Sequence, residues 1–148
     1  MPLSTEEARA LIAACQEKAA GFGKAVTIAV VDAGGYLVAL ERQDGARPLT
    51  PSIATSKAYT AAVMQRPGNM LKGWAESEPV FFGQVARMGL EPIVATDGAV
   101  PIKRGGELLG GLGVSGGRPE EDQEIAETAL AAEGYELEFD AWGQRKTS

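Results

Sequence analysis

The first 20 residues carry apolar side chains at spacings of three and four, which is the period of an α-helix with one buried face. Ser4 stands before this stretch and Glu7 follows three residues later, the arrangement of an N-terminal capping box. The apolar stripe consists of Ala8, Leu11, Ile12, Cys15 and Ala19. We therefore predict a helix that is capped by Ser4, ends near Gly21 and buries Cys15.

A stretch with a period of two follows and predicts a β-hairpin. Residues 26–31 are apolar on both alternating faces, as in a strand that is covered on both sides. Residues 32–35 read Asp-Ala-Gly-Gly and turn the chain, and residues 36–42 return. Alternation along the returning strand predicts that one face carries Tyr36, Val38, Leu40 and Arg42.

The rest of the chain predicts three more helices and a second hairpin. Thr50 resembles an N-cap and Pro51 a first helical residue, so the next helix is expected to run to about residue 66. The remaining predicted elements are a short helix over 79–87, a possible strand over 92–95, a hairpin around Gly105 and Gly106, a helix over 119–133 and an extended segment over 135–139.

This order of elements does not alternate strands with helices as a doubly wound fold does. It predicts an α/β fold of the α+β type, a single-domain sandwich in which a central antiparallel sheet of about five strands carries helices on its faces. The length of 148 residues suits one domain, which we place at residues 1–140, with a C-terminal tail at 141–148.

Composition excludes several classes of function. With 14 basic against 20 acidic residues the net charge is −6, which disfavours nucleic acid as a partner. No apolar stretch is long enough for a membrane span and no signal peptide is evident, so we expect a cytoplasmic protein without a membrane partner. One cysteine cannot form an internal disulfide, which fits a reducing compartment.

The chain contains no histidine. This removes the commonest metal ligand, the commonest general base and the usual protein ligand of haem iron. We predict no metal site, and histidine-based catalytic triads are excluded.

Cationic and hydroxyl side chains on otherwise apolar elements are the candidate ligand-binding residues. On the second helix, Lys57 lies in an apolar stripe near Thr60, where it either extends its ammonium into water or pairs with an acid or an anionic ligand. Arg42 has a fork suited to a carboxylate, although an ion pair with Asp32, Glu41 or Asp44 is equally compatible with the sequence. The predicted ligand-binding set is Tyr36, Arg42, Lys57, Thr60 and Phe82.

Residues 111–116 spell G-x-G-x-x-G before a helix, but they follow a hairpin arm instead of opening a parallel βαβ unit. Glycines that let a helix or a ligand approach the strand explain them better than a dinucleotide site. The amides of Gly116 and Gly117, at the start of the last helix, are candidate anion-binding groups.

Five ordered segments resemble the GlcG/HbpS-like family, which includes the PduO C-terminal domain. They are residues 28–37, 41–46, 56–61, 98–102 and 110–117, and the resemblance spans about residues 5–133. It implies an α/β sandwich with a central antiparallel sheet, a homo-oligomer and, in some members, binding of haem or a corrinoid. Members commonly carry a histidine near the position of Tyr36, and some hold iron through histidine.

Haem bound here would therefore need another ligand, and the candidates are Tyr36, Cys15, Met64, Met70 and Met88. The resulting expectation is a small-molecule-binding protein for haem, a corrinoid or an anionic metabolite. The alternative is a cofactor-independent enzyme, a tautomerase, deaminase or isomerase acting on an unsaturated carboxylate. In that enzyme Lys57 or Tyr36 would be the acid or base and Arg42 the carboxylate anchor.

Overall fold

The computed structural model describes residues 2–139, so the tail predicted at 141–148 lies outside the described residues. The elements are α1 (Thr5–Gly21), β1 (Thr27–Asp32), β2 (Leu37–Arg42), α2 (Thr50–Met64), a 3₁₀ turn (Gly68–Leu71), α3 (Lys72–Ser77), α4 (Pro79–Val85), β3 (Ala99–Arg104), β4 (Glu107–Ser115) and α5 (Pro119–Ala132). Their order agrees with the predicted one except in three places. The 3₁₀ turn and α3 occupy a stretch to which no element was assigned, and no strand forms at 92–95 or 135–139.

The centre of the fold is an antiparallel sheet with the strand order β2-β1-β4-β3. Helices α1 and α5 cover one face of this sheet and α2 covers the other. The α+β sandwich is thereby confirmed, with four strands where about five were expected.

The sequence predicts extended segments at 92–95 and 135–139, and neither of them joins the sheet. The amide of Val94 donates to the hydroxyl of Thr60 on α2 over 2.9 Å, which ties the first segment to a helix. In the second segment, the amide of Glu136 donates to the carbonyl of Lys103 on β3 over 2.9 Å. That segment therefore lies beside the sheet edge without becoming a fifth strand.

The two faces of the sheet are packed differently. Between the sheet and α1 with α5 lies the main core, which is built from large aliphatic side chains such as Leu11, Ile28, Leu112 and Ile125. Under α2 the contacts are made by alanines, and a Cβ at Gly111 or Gly113 would overlap a backbone carbonyl of that helix. The glycine-rich stretch of β4 thus lets α2 approach the strand closely, as predicted.

Two helix starts test the capping predictions. Ser4 caps α1 as expected, because its hydroxyl accepts the amide of Glu7 and its own amide donates to the Glu7 carboxylate, both over 3.0 Å. Thr50 was wrongly predicted as the N-cap of α2, which is Leu49. Thr50 lies inside the helix, where its hydroxyl donates to the carbonyl of Arg47 and meets the hydroxyl of Thr27, each over 2.7 Å.

A β-bulge in β2 overturns the predicted strand face. Val30 pairs with Ala39 and Val31 pairs with Leu37, so Val38 is an extra residue opposite β1. Val38 packs against the core on the side of α1 and α5, whereas Leu40 packs with the alanines under α2. The prediction that Tyr36, Val38, Leu40 and Arg42 share one face is therefore wrong, since one inserted residue breaks the alternation.

Candidate ligand-binding cleft at the first hairpin

Tyr36 lies between the first hairpin turn and β2, and 62% of it is exposed. It borders a cleft of about 460 Å³ at the end of the sheet. The lining residues are Pro2, Leu3, Asp32, Ala33, Gly34, Tyr36, Glu107, Leu108 and Leu109. The volume is within the range of about 300–1,000 Å³ that small-molecule sites occupy, and the walls combine apolar side chains with one phenol and two carboxylates.

The turn that carries Tyr36 is closed by Asp32. The amide of Asp32 donates to the carbonyl of Tyr36 over 2.8 Å, and the amide of Gly35 donates to the carbonyl of Asp32 over 2.9 Å. Gly35 has a φ of 88°, a left-handed conformation that favours glycine. The Asp-Ala-Gly-Gly sequence therefore forms the tight turn that the hairpin prediction required.

Arg42 stands at the opposite end of β2 and borders a second cleft, of about 480 Å³. It is six positions along the chain from Tyr36, and six steps of extended chain span roughly 20 Å. Its Nε and Nη2 donate to the carbonyl of Ala46 over 3.1 and 2.8 Å. The structure thus does not bring Arg42 and Tyr36 to one site within a protomer.

Lys57 is 4% exposed and does not extend into water. Its Nζ donates to the carbonyl of Val114 over 2.7 Å and lies 3.2 Å from Oδ2 of Asp122. Burial lowers the pKa of Lys57 and raises the pKa of Asp122, and the attraction between the two charges opposes both shifts. Of the two interpretations of Lys57, the structure has the one in which the lysine pairs with an acid. That acid is Asp122 of the same chain.

Thr60 and Phe82 hold a separate part of the fold together. The Thr60 hydroxyl accepts the amide of Val94, and the Phe82 ring packs edge-on against Trp74 with centroids 5.0 Å apart. Phe82 belongs to a small apolar cluster with Tyr59, Leu71 and Ile93, which joins α2 to the segment 68–97. Neither residue lines the Tyr36 cleft.

The predicted anion-binding amides lie next to an internal carboxylate. The amide of Gly117 donates to Oδ1 of Asp122 over 2.9 Å, and the next amide, of Arg118, donates to Glu121 over 2.8 Å. Gly116 has a φ of 141° and packs closely on the backbone of Ala25 and Val26. The amide of Gly117 already donates to Asp122, so it is not available to bind an external anion.

The alternative iron ligands differ in access. Cys15 is buried in the main core, which raises the pKa of its thiol far above the ordinary value. Met64 is half-buried, Met88 is 73% exposed, and Met70 lines a smaller cavity of about 250 Å³ that also includes Gln123, Glu127 and Glu138. Tyr36 is the candidate whose cleft combines the larger volume with apolar walls.

The sequence did not reveal three residues that contribute to these sites. Asp122 was interpreted as one of the acidic residues of a helix start, yet it lies on the buried side of α5 with Ile125 and Ala129. That spacing of three and seven was visible in the sequence. Leu3 and Leu109 form walls of the Tyr36 cleft, and no local signal joins residues so far apart in the chain.

Two absences hold for residues 2–139. Within them, no group of three or more acidic or cysteine side chains is placed to hold a metal ion. No helix in the same part of the chain is long and apolar enough to cross a membrane.

Comparison with known sequences gives consistent matches. The family model described as "Haem degrading protein HbpS-like" matches residues 3–131. Protein GlcG of Escherichia coli K12 is 39% identical over 113 residues, which cover 76% of this chain and 81% of GlcG. The corrinoid adenosyltransferase PduO of Citrobacter freundii is 35% identical over 132 residues, which cover 89% of this chain and 39% of PduO. This chain thus spans about two fifths of that relative.

Two solved structures share the fold over most of their length. The crystal structure of a PduOC:heme complex superimposes with a TM-score of 0.84 and 30% sequence identity, covering 92% of this chain and 98% of the other. HbpS of Streptomyces reticuli, crystallised as a double mutant, superimposes with a TM-score of 0.79 and 27% identity, covering 89% and 87%. The first of these relatives is a complex with haem.

Proposed function

Because this chain belongs to the HbpS-like family, as its motifs predicted, we propose that it is a haem-binding protein whose site is the cleft beside Tyr36. The observation that carries the proposal is an exposed tyrosine on the rim of a cleft with apolar walls. Tyrosine is one of the few side chains besides histidine, cysteine and methionine that hold haem iron in proteins.

The residues of the cleft fit such a ligand. Leu108 is half-buried and, with the small exposed parts of Leu3 and Leu109, offers apolar surface to a macrocycle. The Tyr36 phenol would hold the iron through its oxygen. When bound in this way, haem would supply a ferric centre with an anionic oxygen ligand.

The proposal is tested by titrating the full-length protein with haemin and following the absorption spectrum. We expect a saturable Soret band in the wild type. Tyr36→Phe should raise the Kd for haemin by at least about tenfold, because the oxygen that would hold the iron is removed. Tyr36→His should retain binding and shift the band to that of an imidazole complex. Glu76→Gln, at an exposed position outside the cleft, is the control and should bind as the wild type does.

Two results would overturn the assignment. Absence of a saturable band in the wild type would exclude haem, and parallel titrations with a corrinoid and with an unsaturated dicarboxylate would then test the other two ligand classes. A wild-type spectrum in Tyr36→Phe would show that haem is held elsewhere.

The expectation of a homo-oligomer belongs to the same proposal. Large apolar side chains are exposed on α4 and just after it, at Val80, Phe81, Met88 and Leu90, and another at Leu37 on β2. Large exposed apolar side chains favour contacts between protein molecules. Light scattering coupled to size-exclusion chromatography should give a mass that is a multiple of 15.4 kDa, and a mass of one protomer would contradict it.

A further inference from the structure

The Asp32 side chain is tied to the residue that the proposed site depends on. Its Oδ1 accepts the amide of Gly34 over 2.9 Å and the amide of Tyr36 over 3.0 Å. Together with the two backbone hydrogen bonds of the turn, four bonds join Asp32 to the three residues 34–36. The side chain of Asp32 therefore fixes the backbone from which the Tyr36 ring projects.

The turn is also supported from the side of α2. A Cβ at Gly35 would come within 2.7 Å of the Tyr59 ring, so the turn lies directly on that ring. The Tyr59 hydroxyl accepts the amide of Leu90 over 3.0 Å, which holds the ring in place. Above the turn, the Tyr36 ring packs over Gly34, where a Cβ would be 3.2 Å from two ring carbons. Tyr59 thus supports the backbone of the turn, and the Tyr36 ring lies against Gly34.

We infer that Asp32 is a positioning residue for the Tyr36 site, and that its carboxylate acts by accepting the amides of the turn. This inference rests on the proposed function, since it assigns Asp32 a role in presenting the phenol to the ligand. A side chain that is already held in its binding geometry loses less conformational entropy when the ligand arrives. Without the Asp32 acceptor, the turn must be ordered by the ligand, and affinity falls.

The experiment compares Asp32→Asn, which keeps the Oδ1 acceptor, with Asp32→Ala, which removes it. We expect Asp32→Ala to raise the Kd for haemin about tenfold and to weaken the band that reports bonding of the phenolate to iron. In Asp32→Asn, the Kd for haemin and the intensity of this band should both stay within about threefold of the wild-type values. The intensity of that band is compared at saturating haemin. A misplaced phenol lowers the intensity per bound haem, whereas a protein that is only less stable keeps it.

Either of two outcomes overturns the inference. An Asp32→Ala protein with wild-type Kd and band would show that the turn needs no side-chain acceptor. An Asp32→Asn protein as impaired as Asp32→Ala would show that charge, and not acceptance of the amides, is what matters.

A second variant keeps the test open if Asp32→Ala does not fold. Gly34→Ala leaves the Asp32 hydrogen bonds in place but presses on the Tyr36 ring, so it should shift the same band. Gly83→Ala on α4 meets nothing within 4 Å and is the matched control. A Gly34→Ala spectrum identical to the wild type would contradict the idea that ring position matters.

Hydrogen exchange separates this inference from the proposed function. In the ligand-free protein, the amides of Gly34 and Tyr36 should exchange slowly, and Asp32→Ala should accelerate both while Asp32→Asn does not. If the wild type binds no haemin, the proposed function fails, and the exchange rates still decide whether Asp32 orders the turn. If the wild type binds haemin and the rates do not change in Asp32→Ala, only the positioning role fails.

Discussion

Lys57 and Asp122 form an ion pair inside the protein, with Nζ and Oδ2 3.2 Å apart and side chains 6% and 5% exposed. The pair joins α2 to α5, and the Val114 carbonyl on β4 accepts a second hydrogen bond from the ammonium. Because the Gly117 amide satisfies the other carboxylate oxygen, the charges have partners on both sides.

Replacing one residue of this pair should lower the free energy of unfolding more than replacing both by apolar residues. We expect Lys57→Met to lower the free energy of unfolding by about 3–5 kcal/mol, because it leaves the Asp122 carboxylate buried and unpaired. The double variant Lys57→Met with Asp122→Leu should be more stable than that single variant. Urea denaturation of the wild type, both single variants and the double variant measures the coupling, and additive effects would contradict a direct interaction.

Gly113→Ala should disrupt the packing of α2 on the sheet. A Cβ at this position would overlap the carbonyl of Ala54, and neither backbone segment can move without distorting the helix or the strand. We expect a loss of more than about 4 kcal/mol or a failure to fold. Gly83→Ala, on the exposed surface of α4, should be neutral or stabilising by up to about 1 kcal/mol. Thermal unfolding of the two purified variants distinguishes them, and equal melting temperatures would contradict close packing at Gly113.

Tyr59→Phe should loosen the segment that follows α4. The variant keeps the ring between Gly35 and Gly89 but removes the oxygen that accepts the Leu90 amide. We expect a loss of about 1 kcal/mol in unfolding free energy and faster hydrogen exchange at Leu90. Unchanged exchange at that amide would show that the hydroxyl is not its acceptor in solution.

Stability should fall in acid partly through Glu7 and Glu121. Hydrogen bonds from the backbone amides of Ser4 and Arg118 lower the pKa of these two carboxyls from the ordinary 4.5. A carboxyl with a lower pKa in the folded state stabilises the protein above its unfolded pKa, and this stabilisation is lost as the pH falls through the folded pKa.

The double variant Glu7→Gln with Glu121→Gln should accordingly show a shallower decline of unfolding free energy below about pH 5. Urea denaturation at a series of pH values measures the slope. Glu17→Gln, an exposed residue of α1, is the control and should follow the wild type. An identical slope in the double variant would mean that the capping hydrogen bonds do not persist in solution.

Local sequence signals were sufficient for most of the fold. Several elements depend only on residues that are close together in the chain, so a short stretch of sequence is enough to predict them. They include the capping box of Ser4 and Glu7, the turn at Gly105 and Gly106 and the apolar period of α5. The family resemblance came from the same kind of short, ordered motif, and it is confirmed.

The candidate site was predicted less completely because its parts are distant in sequence. Lys57 and Asp122 are 65 positions apart, so only the folded chain identifies the internal acid that pairs with the lysine. Tyr36 and Arg42 were grouped by counting along β2, and the count fails where Val38 is inserted. Grouping by alternation assumes that every residue of the strand has a partner in the sheet. The sequence of one strand does not show where this pairing is interrupted.

The bulge at Val38 determines which side of the sheet the preceding side chains occupy. Tyr36 and Leu37, which precede it, lie on the sides of the sheet opposite to those that unbroken alternation counted back from Leu40 would give. Tyr36 owes its place beside Leu3 and Leu109 to that bulge, whereas Leu40 stays with the alanines under α2. Deleting Val38 would leave Leu37 opposite Val31 and Ala39 opposite Val30, so the strand would become regular while the tyrosine kept its side of the sheet. The bulge is therefore the means by which the sheet holds one more residue without moving the phenol away from the cleft.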